Sequence, residues 1–317
     1  MSRAIRMLSG LLGALALAGA VVAELPSQRS ALPSDRAWRT LLLDAARAGD
    51  RLVAVGARGH VVLSDDGGET WRQASSVPTQ VLLTGVTFHD ARRGWAVGHD
   101  AVILHTSDGG ESWRLQHADP GLESPLFSVW FGDGERGIAT GAFGLMLETR
   151  DGGTRWQRTS MGPDTEDLHL NEIFSGRDGT LLIAAESGVV YRSDDLGARW
   201  RRIQTPYPGS LWGGLGLPDG ALLVFGMRGH LLRSEDGGRT WQELGSGTEQ
   251  SFGGGARLAD GRVVLAGLGG AVAVSEDAGR TFMTTIRASR KGSNAVLGGD
   301  DERILVFGEG GVETFGE

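Results

Sequence analysis

Beyond its first two dozen residues the chain carries no helical periodicity of apolar positions. Short apolar runs recur instead, broken by clusters rich in Gly and Asp. In one stretch they are Leu82–Phe88, Gly94–Gly98 and Ala101–His105, followed by Ser112–Gln116. The runs are rich in Val, Leu, Ile, Phe and Trp, which suit a pleated, half-buried surface, and turn formers bound each one. They predict four short antiparallel strands, A to D. The pattern then repeats, with strands of type A starting near Thr40, Leu82, Leu126, Leu168, Ser210, Ser251 and Asn294. Four strands in a period of about 40–45 residues make one blade of a propeller. The expected fold is therefore all-β, a seven-bladed β-propeller. Its blades fall near 39–76, 81–118, 125–160, 168–205, 209–245, 250–286 and 293–317. The seventh has no fourth strand of its own, and segment 24–32 is expected to supply it and remove the open edge.

A second repeat lies between strands C and D. Ser64–Trp71 reads SDDGGETW and Ser234–Trp241 reads SEDGGRTW; looser copies end on Trp113, Trp156, Trp200 and Phe282. Successive final aromatics are 42, 43, 44, 41 and 41 residues apart. This is the Asp-box, or BNR repeat. Its aspartates, Asp66, Asp108, Asp151, Asp195, Asp236 and Asp277, are short enough to accept N–H bonds inside their own turn. A structural role as turn caps is expected for all six, and a catalytic role for none.

The N-terminus changes the picture of where the protein acts. Arg3 and Arg6 precede an apolar run, Leu8–Ala18, and Val21-Val22-Ala23 offers small residues before a cut. Residues 1–23 thus read as a secretory signal peptide and 24–317 as one propeller domain, exported to the periplasm. The chain has no Cys, which excludes disulfides, thiolate metal sites and a lipid anchor on cysteine. Without the signal it carries 29 basic and 39 acidic residues. That balance disfavours nucleic acid as a partner. No metal site and no cofactor is expected, because the seven His show no ligand spacing.

Box and A–B turns share one end of a propeller; B–C turns and D–A connections share the other. The D–A connections vary most here, and variable loops on a rigid frame are where binding usually sits. The expected partner site is therefore on the B–C/D–A face, with Arg58, His60, His99, Phe143, Arg228 and His230 from B–C turns and Arg287, Arg290 and Lys291 from the last D–A connection. Arginine forks suit the carboxylates of a polypeptide. Trp212 and Tyr207 are expected at the central funnel. Acidic loops at 117–125 and 162–168 share the face. Asp-boxes also occur in glycoside hydrolases, so a sialidase-like enzyme or a glycan-binding module is the alternative. Against catalysis, the chain has only two Tyr, Tyr191 and Tyr207, and nothing selects a carboxylate pair such as Asp164 or Glu166 with Glu186.

The segment LLTGVTFHDARRGWAVGHDAVILHTSDGGESW, Leu82–Trp113, resembles the photosystem II stability/assembly factor family of BNR-repeat propellers. Phe127–Trp156 repeats it with Gly-Ile-Ala-Thr-Gly in strand B. The resemblance covers essentially the whole mature chain. It implies a non-enzymatic, monomeric assembly factor whose partner is a membrane protein complex or its subunits. It also implies an arginine-rich patch, and Arg92, Arg93 and Arg136 occupy equivalent places at the start of B strands. In a photosynthetic host the resemblance implies the thylakoid lumen; in a non-photosynthetic host the implied role is in the envelope or with a transporter.

Overall fold

The computed structural model describes residues 25–162, 168–300 and 303–316. Residues 1–23 lie outside these, so the signal peptide is not described. Seven antiparallel sheets form, each with strands in simple A-B-C-D order; six have four strands and the seventh three. The innermost A strands are Leu42–Ala48, Leu83–Phe88, Leu126–Phe131, Leu170–Ser175, Leu211–Gly216, Phe252–Arg257 and Ser293–Gly298. Each packs on the next, and the seventh packs on the first, which closes the ring. In the second blade strand B is Gly94–Gly98 as expected, while strands C and D run Ile103–Thr106 and Arg114–His117. B strands are buried along nearly their whole length, and their residues fill the space between neighbouring blades. Among the described residues no helix is long and apolar enough to cross a membrane.

The N-terminal closure differs from the expectation. Segment 25–34 is not the fourth strand of the seventh blade; it lies against the first blade. Ala31 N–H donates to the Val77 carbonyl at 2.9 Å, and Gln80 N–H to the Pro26 carbonyl at 2.8 Å. Gln73 Nε2 reaches the Leu32 carbonyl at 3.1 Å. Pro26 and Pro33 remove two N–H donors from a short segment, so a continuous ladder is unavailable to it. The ring is sealed by Trp38 instead. Its side chain, like those of Trp71 and Val312, packs on the core that joins Leu305 and Phe307 of blade seven to Leu42 and Leu52 of blade one. Its carbonyl lies so close to Gly311 that a Cβ there would sit 2.1 Å away.

The six box turns share one hydrogen-bond pattern. In the first, Asp66 Oδ1 accepts from Ser64 Oγ at 2.8 Å and from Thr70 N–H at 2.9 Å, while Gly68 N–H donates to Ser64 Oγ. Trp71 Nε1 closes the turn on the Gly68 carbonyl. Asp108, Asp151, Asp195, Asp236 and Asp277 accept equivalent backbone bonds four residues on. The bonds from Thr70 hold the Asp66 carboxyl at about 2. Asp236→Ala strips the acceptor from Ser234 Oγ, Arg239 N–H, Thr240 N–H and Thr240 Oγ1. The expected cost is about 1–3 kcal/mol, read as a lower urea midpoint with an unchanged m-value.

Two local features set up the functional face. Every A strand is bulged at its second residue, where the register with strand B slips by one. The bulged residues are Leu43, Thr84, Phe127, Asn171, Trp212, Gly253 and Asn294. In addition, strand B ends on Gly in six blades. At Gly56, Gly98, Gly141, Gly226, Gly267 and Gly308 a Cβ would meet the carbonyl just before strand A at 2.1 to 2.3 Å.

Candidate functional site

After that glycine the chain turns sharply into strand C. In six blades the second residue of the turn is left-handed: Arg58, Asp100, Phe143, Ser187, Arg228 and Gly269, with φ between 51 and 60°. Five of the six are not glycine. The third residue, Gly in five of these turns, is buried in every blade but the third, where Gly144 is half-buried and donates to the Leu168 carbonyl; it fixes the turn against the D–A connection. The tip residue is thereby held out at one place per blade, on a constant frame, with an identity that changes from blade to blade.

The predicted site residues divide into two groups. Arg58, His99, Phe143, Arg228 and Arg290 are exposed on this face. Phe143 is 58% exposed, unusual for a Phe held by a rigid backbone. The others are engaged within the chain. His60 is buried under its turn, with Nδ1 3.1 Å from Thr40 Oγ1. Burial first, and Arg58 second, lower its pKa. His230 stacks on Tyr207 with ring centroids 3.7 Å apart and pairs with Glu243. The Arg287 guanidinium is buried on Glu313, Ser293 Oγ and the Lys291 carbonyl. Lys291 Nζ sits 2.9 Å from the same Glu313. Arg287 and Lys291 therefore pin the last D–A connection to strand C of the seventh blade, and Glu313 offsets their charge. Of the residues expected at the funnel, Trp212 lines it; Tyr207 is buried with its hydroxyl on the Met227 carbonyl. At the opposite end Arg93 pairs with Asp90 and Arg136 with Glu148. Asp164, Glu166 and Asp167 lie outside the described residues.

The face surrounds the mouth of the axial channel, a cavity of about 470 Å³ lined by the starts of the A strands. Sequence reasoning missed most of its polar lining. Asp44 Oδ2 accepts Val86 N–H of the next blade at 2.8 Å, and its Oδ1 accepts Ala45 N–H. Glu172 Oε2 accepts Gly214 N–H at 2.9 Å. Ser128 Oγ accepts Ile173 N–H at 3.3 Å. These three residues directly follow a bulge, and each ties its blade to the next one. Thr84 Oγ1 and Asn171 Nδ2, at the bulges themselves, donate to the Leu126 and Leu211 carbonyls. Burial pushes the Asp44 carboxyl up to about 7. Burial, with Asp44 adding repulsion, pushes Glu172 up to about 8. His169 was also missed; its ring stands 4.8 Å from Phe143 and 5.6 Å from Phe127, and its Nδ1 accepts the Phe143 N–H. An aromatic path thus runs from the exposed rim into the channel.

Comparisons with known proteins agree with this architecture. No protein of curated function matches the chain. A structure of YCF48 bound to a D1 peptide is 22% identical, with a TM-score of 0.69, over 86% of this chain and 92% of that one. YCF48 from Cyanidioschyzon merolae is 17% identical, with a TM-score of 0.66, over 86% and 94%. Virginiamycin B lyase from Staphylococcus aureus is 12% identical, with a TM-score of 0.72, over 90% and 96%. At such identities these likenesses concern the fold. The sequence itself carries more, because the model of "Photosynthesis system II assembly factor YCF48" matches residues 73–202 and 116–264, well over half of the chain. On that match the chain belongs to the photosynthesis system II assembly factor YCF48 family.

Proposed function

We propose that this protein is an exported, non-catalytic propeller that assists the assembly or stability of a membrane protein complex by holding a segment of one subunit on its B–C/D–A face. One observation carries the reading: the tips Arg58, Asp100, Phe143, Ser187 and Arg228 stand at equivalent strained positions and differ in chemistry. Such strain persists where the surrounding frame over-determines it, and it gathers at functional surfaces. Phe143 supplies an apolar anchor, and Arg58 and Arg228 supply forks for carboxylates or carbonyls. A D1 peptide on a YCF48 propeller supports a polypeptide as the ligand class. Both tyrosines are buried, which disfavours a tyrosine nucleophile. The N-terminal pattern supports action in the periplasm, with an envelope or transporter-associated complex as partner, or in the thylakoid lumen of a photosynthetic host.

The test is capture from detergent-solubilised membranes by the tagged mature protein. The face variant is Arg58→Glu/Phe143→Asp/Arg228→Glu; the control, Arg158→Glu/Arg201→Glu, alters exposed arginines of D strands. The same membrane subunits should come down with parent and control. Their recovery should fall about tenfold or more with the face variant, corresponding to about 1.4 kcal/mol or more of lost binding. Equal recovery with all three proteins would remove this face as the docking surface.

A further inference from the structure

The channel mouth contains two carboxyls that have no cation beside them among the described residues. Asp44 belongs to the first blade and Glu172 to the fourth, so they face each other across the ring. The lining consists of Leu, Ala, Val and Gly, the polar residues Thr84, Ser128, Asn171 and Asn294, and the rings of His99, Phe127 and Trp212; it includes no Lys or Arg. Among the described residues Glu172 Oε1 has no donor, and half-buried Glu172 lines the cavity. One acceptor is thus left over in the lining of a cavity of about 470 Å³. Carboxyls so placed are disfavoured as anions unless a positive charge arrives. Aromatic faces beside them favour the same visitor, since a ring attracts a cation to its face.

We propose that the mouth of the axial channel is a binding site for an organic cation, a guanidinium or a primary ammonium, seated between Glu172 and Asp44 and against Trp212 and Phe127. The volume admits one alkyl-guanidinium or alkyl-ammonium side chain. Access runs past His99 and along Phe143, His169 and Phe127. Binding ionises a carboxyl, so a proton leaves as the cation enters. The site stands on the cavity alone; only its supply by an Arg or Lys side chain of a docked partner rests on the proposed function. A free small amine is the other source of the same chemistry.

Calorimetric titration separates the outcomes. Agmatine is the probe for a free amine, and N-acetyl-argininamide for a peptide-borne guanidinium. At pH 8 at least one should bind with one-to-one saturation, at least about tenfold tighter than at pH 6, with an enthalpy that depends on the buffer as a proton is released. Glu172→Gln should weaken binding about tenfold or more. Trp212→Phe should remove the accompanying change in tryptophan fluorescence. Single cooperative thermal melts, at or above the parent's midpoint for Glu172→Gln, would establish that both variants fold. Binding of the blocked arginine assigns the site to a partner's side chain; binding of agmatine alone assigns it to a free amine. The proposal is overturned if neither probe saturates by about 10 mM, the range of negligible affinity, or if Glu172→Gln binds both as the parent does. That failure leaves the docking face standing, because the face is tested by Arg58, Phe143 and Arg228.

Discussion

Glu172→Gln raises the melting temperature at pH 8 and leaves it nearly unchanged at pH 4. The Gln carbonyl still accepts the Gly214 N–H, so the tie between blades four and five survives. What disappears is a charge held deep in the channel. In the unfolded chain Glu172 ionises near its ordinary value of 4.5; in the folded protein it holds its proton up to about 8. Between those values the folded state binds the extra proton, so stability falls as pH rises, by about 1.4 kcal/mol per pH unit for such a group. Below pH 4 both states are protonated and the effect vanishes. Asp44 acts in the same direction between its ordinary 3.8 and about 7. Water in the channel reduces the full effect, leaving about 2 kcal/mol for Glu172→Gln at pH 8, or about 4 °C for a domain of this size. Asp44→Asn should show the same pH dependence but a lower overall stability, because both Asp44 oxygens accept N–H bonds, from Ala45 and Val86, and an amide nitrogen can replace only one of them. The double variant should gain less than the two singles combined, because Asp44 contributes to the rise at Glu172. The box aspartates work the other way: Asp66 and Asp195, held near 2, lose their contribution in strong acid. Stability should therefore peak in mild acid. Thermal melts from pH 3 to 9 check this, and parallel curves for parent and Glu172→Gln would exclude the channel carboxyls as its source.

Trp95→Ala carries the largest loss of stability expected from one side chain. Trp95 lies mid-strand in the second blade, 1% exposed, and stacks on Phe131 of the third blade with centroids 3.4 Å apart. The cavity left between two blades cannot collapse without shifting a sheet. Large aromatic-to-alanine changes in such cores cost about 3–5 kcal/mol. Among the described residues the indole N–H has no partner, so its removal also relieves a buried orphan and points to the lower end of that range. Urea unfolding measures the effect. Phe143→Ala is the contrast: it should change stability by less than about 0.5 kcal/mol while weakening partner binding. If Trp95→Ala costs as little as Phe143→Ala, the blades are not coupled through this ring pair.

Much of this was legible in the residues. The 41-to-44-residue spacing of the box aromatics and the seven A-type runs led to seven blades, since repeats report their own period. The chemistry of the box was equally local, because its donors and acceptors lie within about eight residues. The exposed tips Arg58, Phe143 and Arg228 were found because a B–C turn is recognisable from its flanking glycines.

Other features depend on distances between blades. Whether segment 24–32 or Trp38 closed the ring depended on which surface lay nearest, and proline-bearing residues 25–34 found partners on the first blade. His60 and Arg287 looked like surface cations, but burial and Glu313 are visible only once neighbouring strands are in place. The residue following each bulge is Asp44, Gly85, Ser128, Glu172, Gly213, Gly254 or Ala295. Aligning the seven repeats on it would have exposed two carboxylates among small residues. Their meaning still required the fold: a carboxylate in an A strand is ordinary until seven such strands enclose it, take away much of its water and leave it opposite another. The sequence alone thus determined the repeat, the blade and the turn, which follow from short-range sterics and hydrogen bonds. Tertiary structure decided which charges are free, which are spent and which are trapped, because desolvation and pairing depend on groups beyond the local turn, 20 residues away for His60, 26 for Arg287 and 42 for the channel carboxyls.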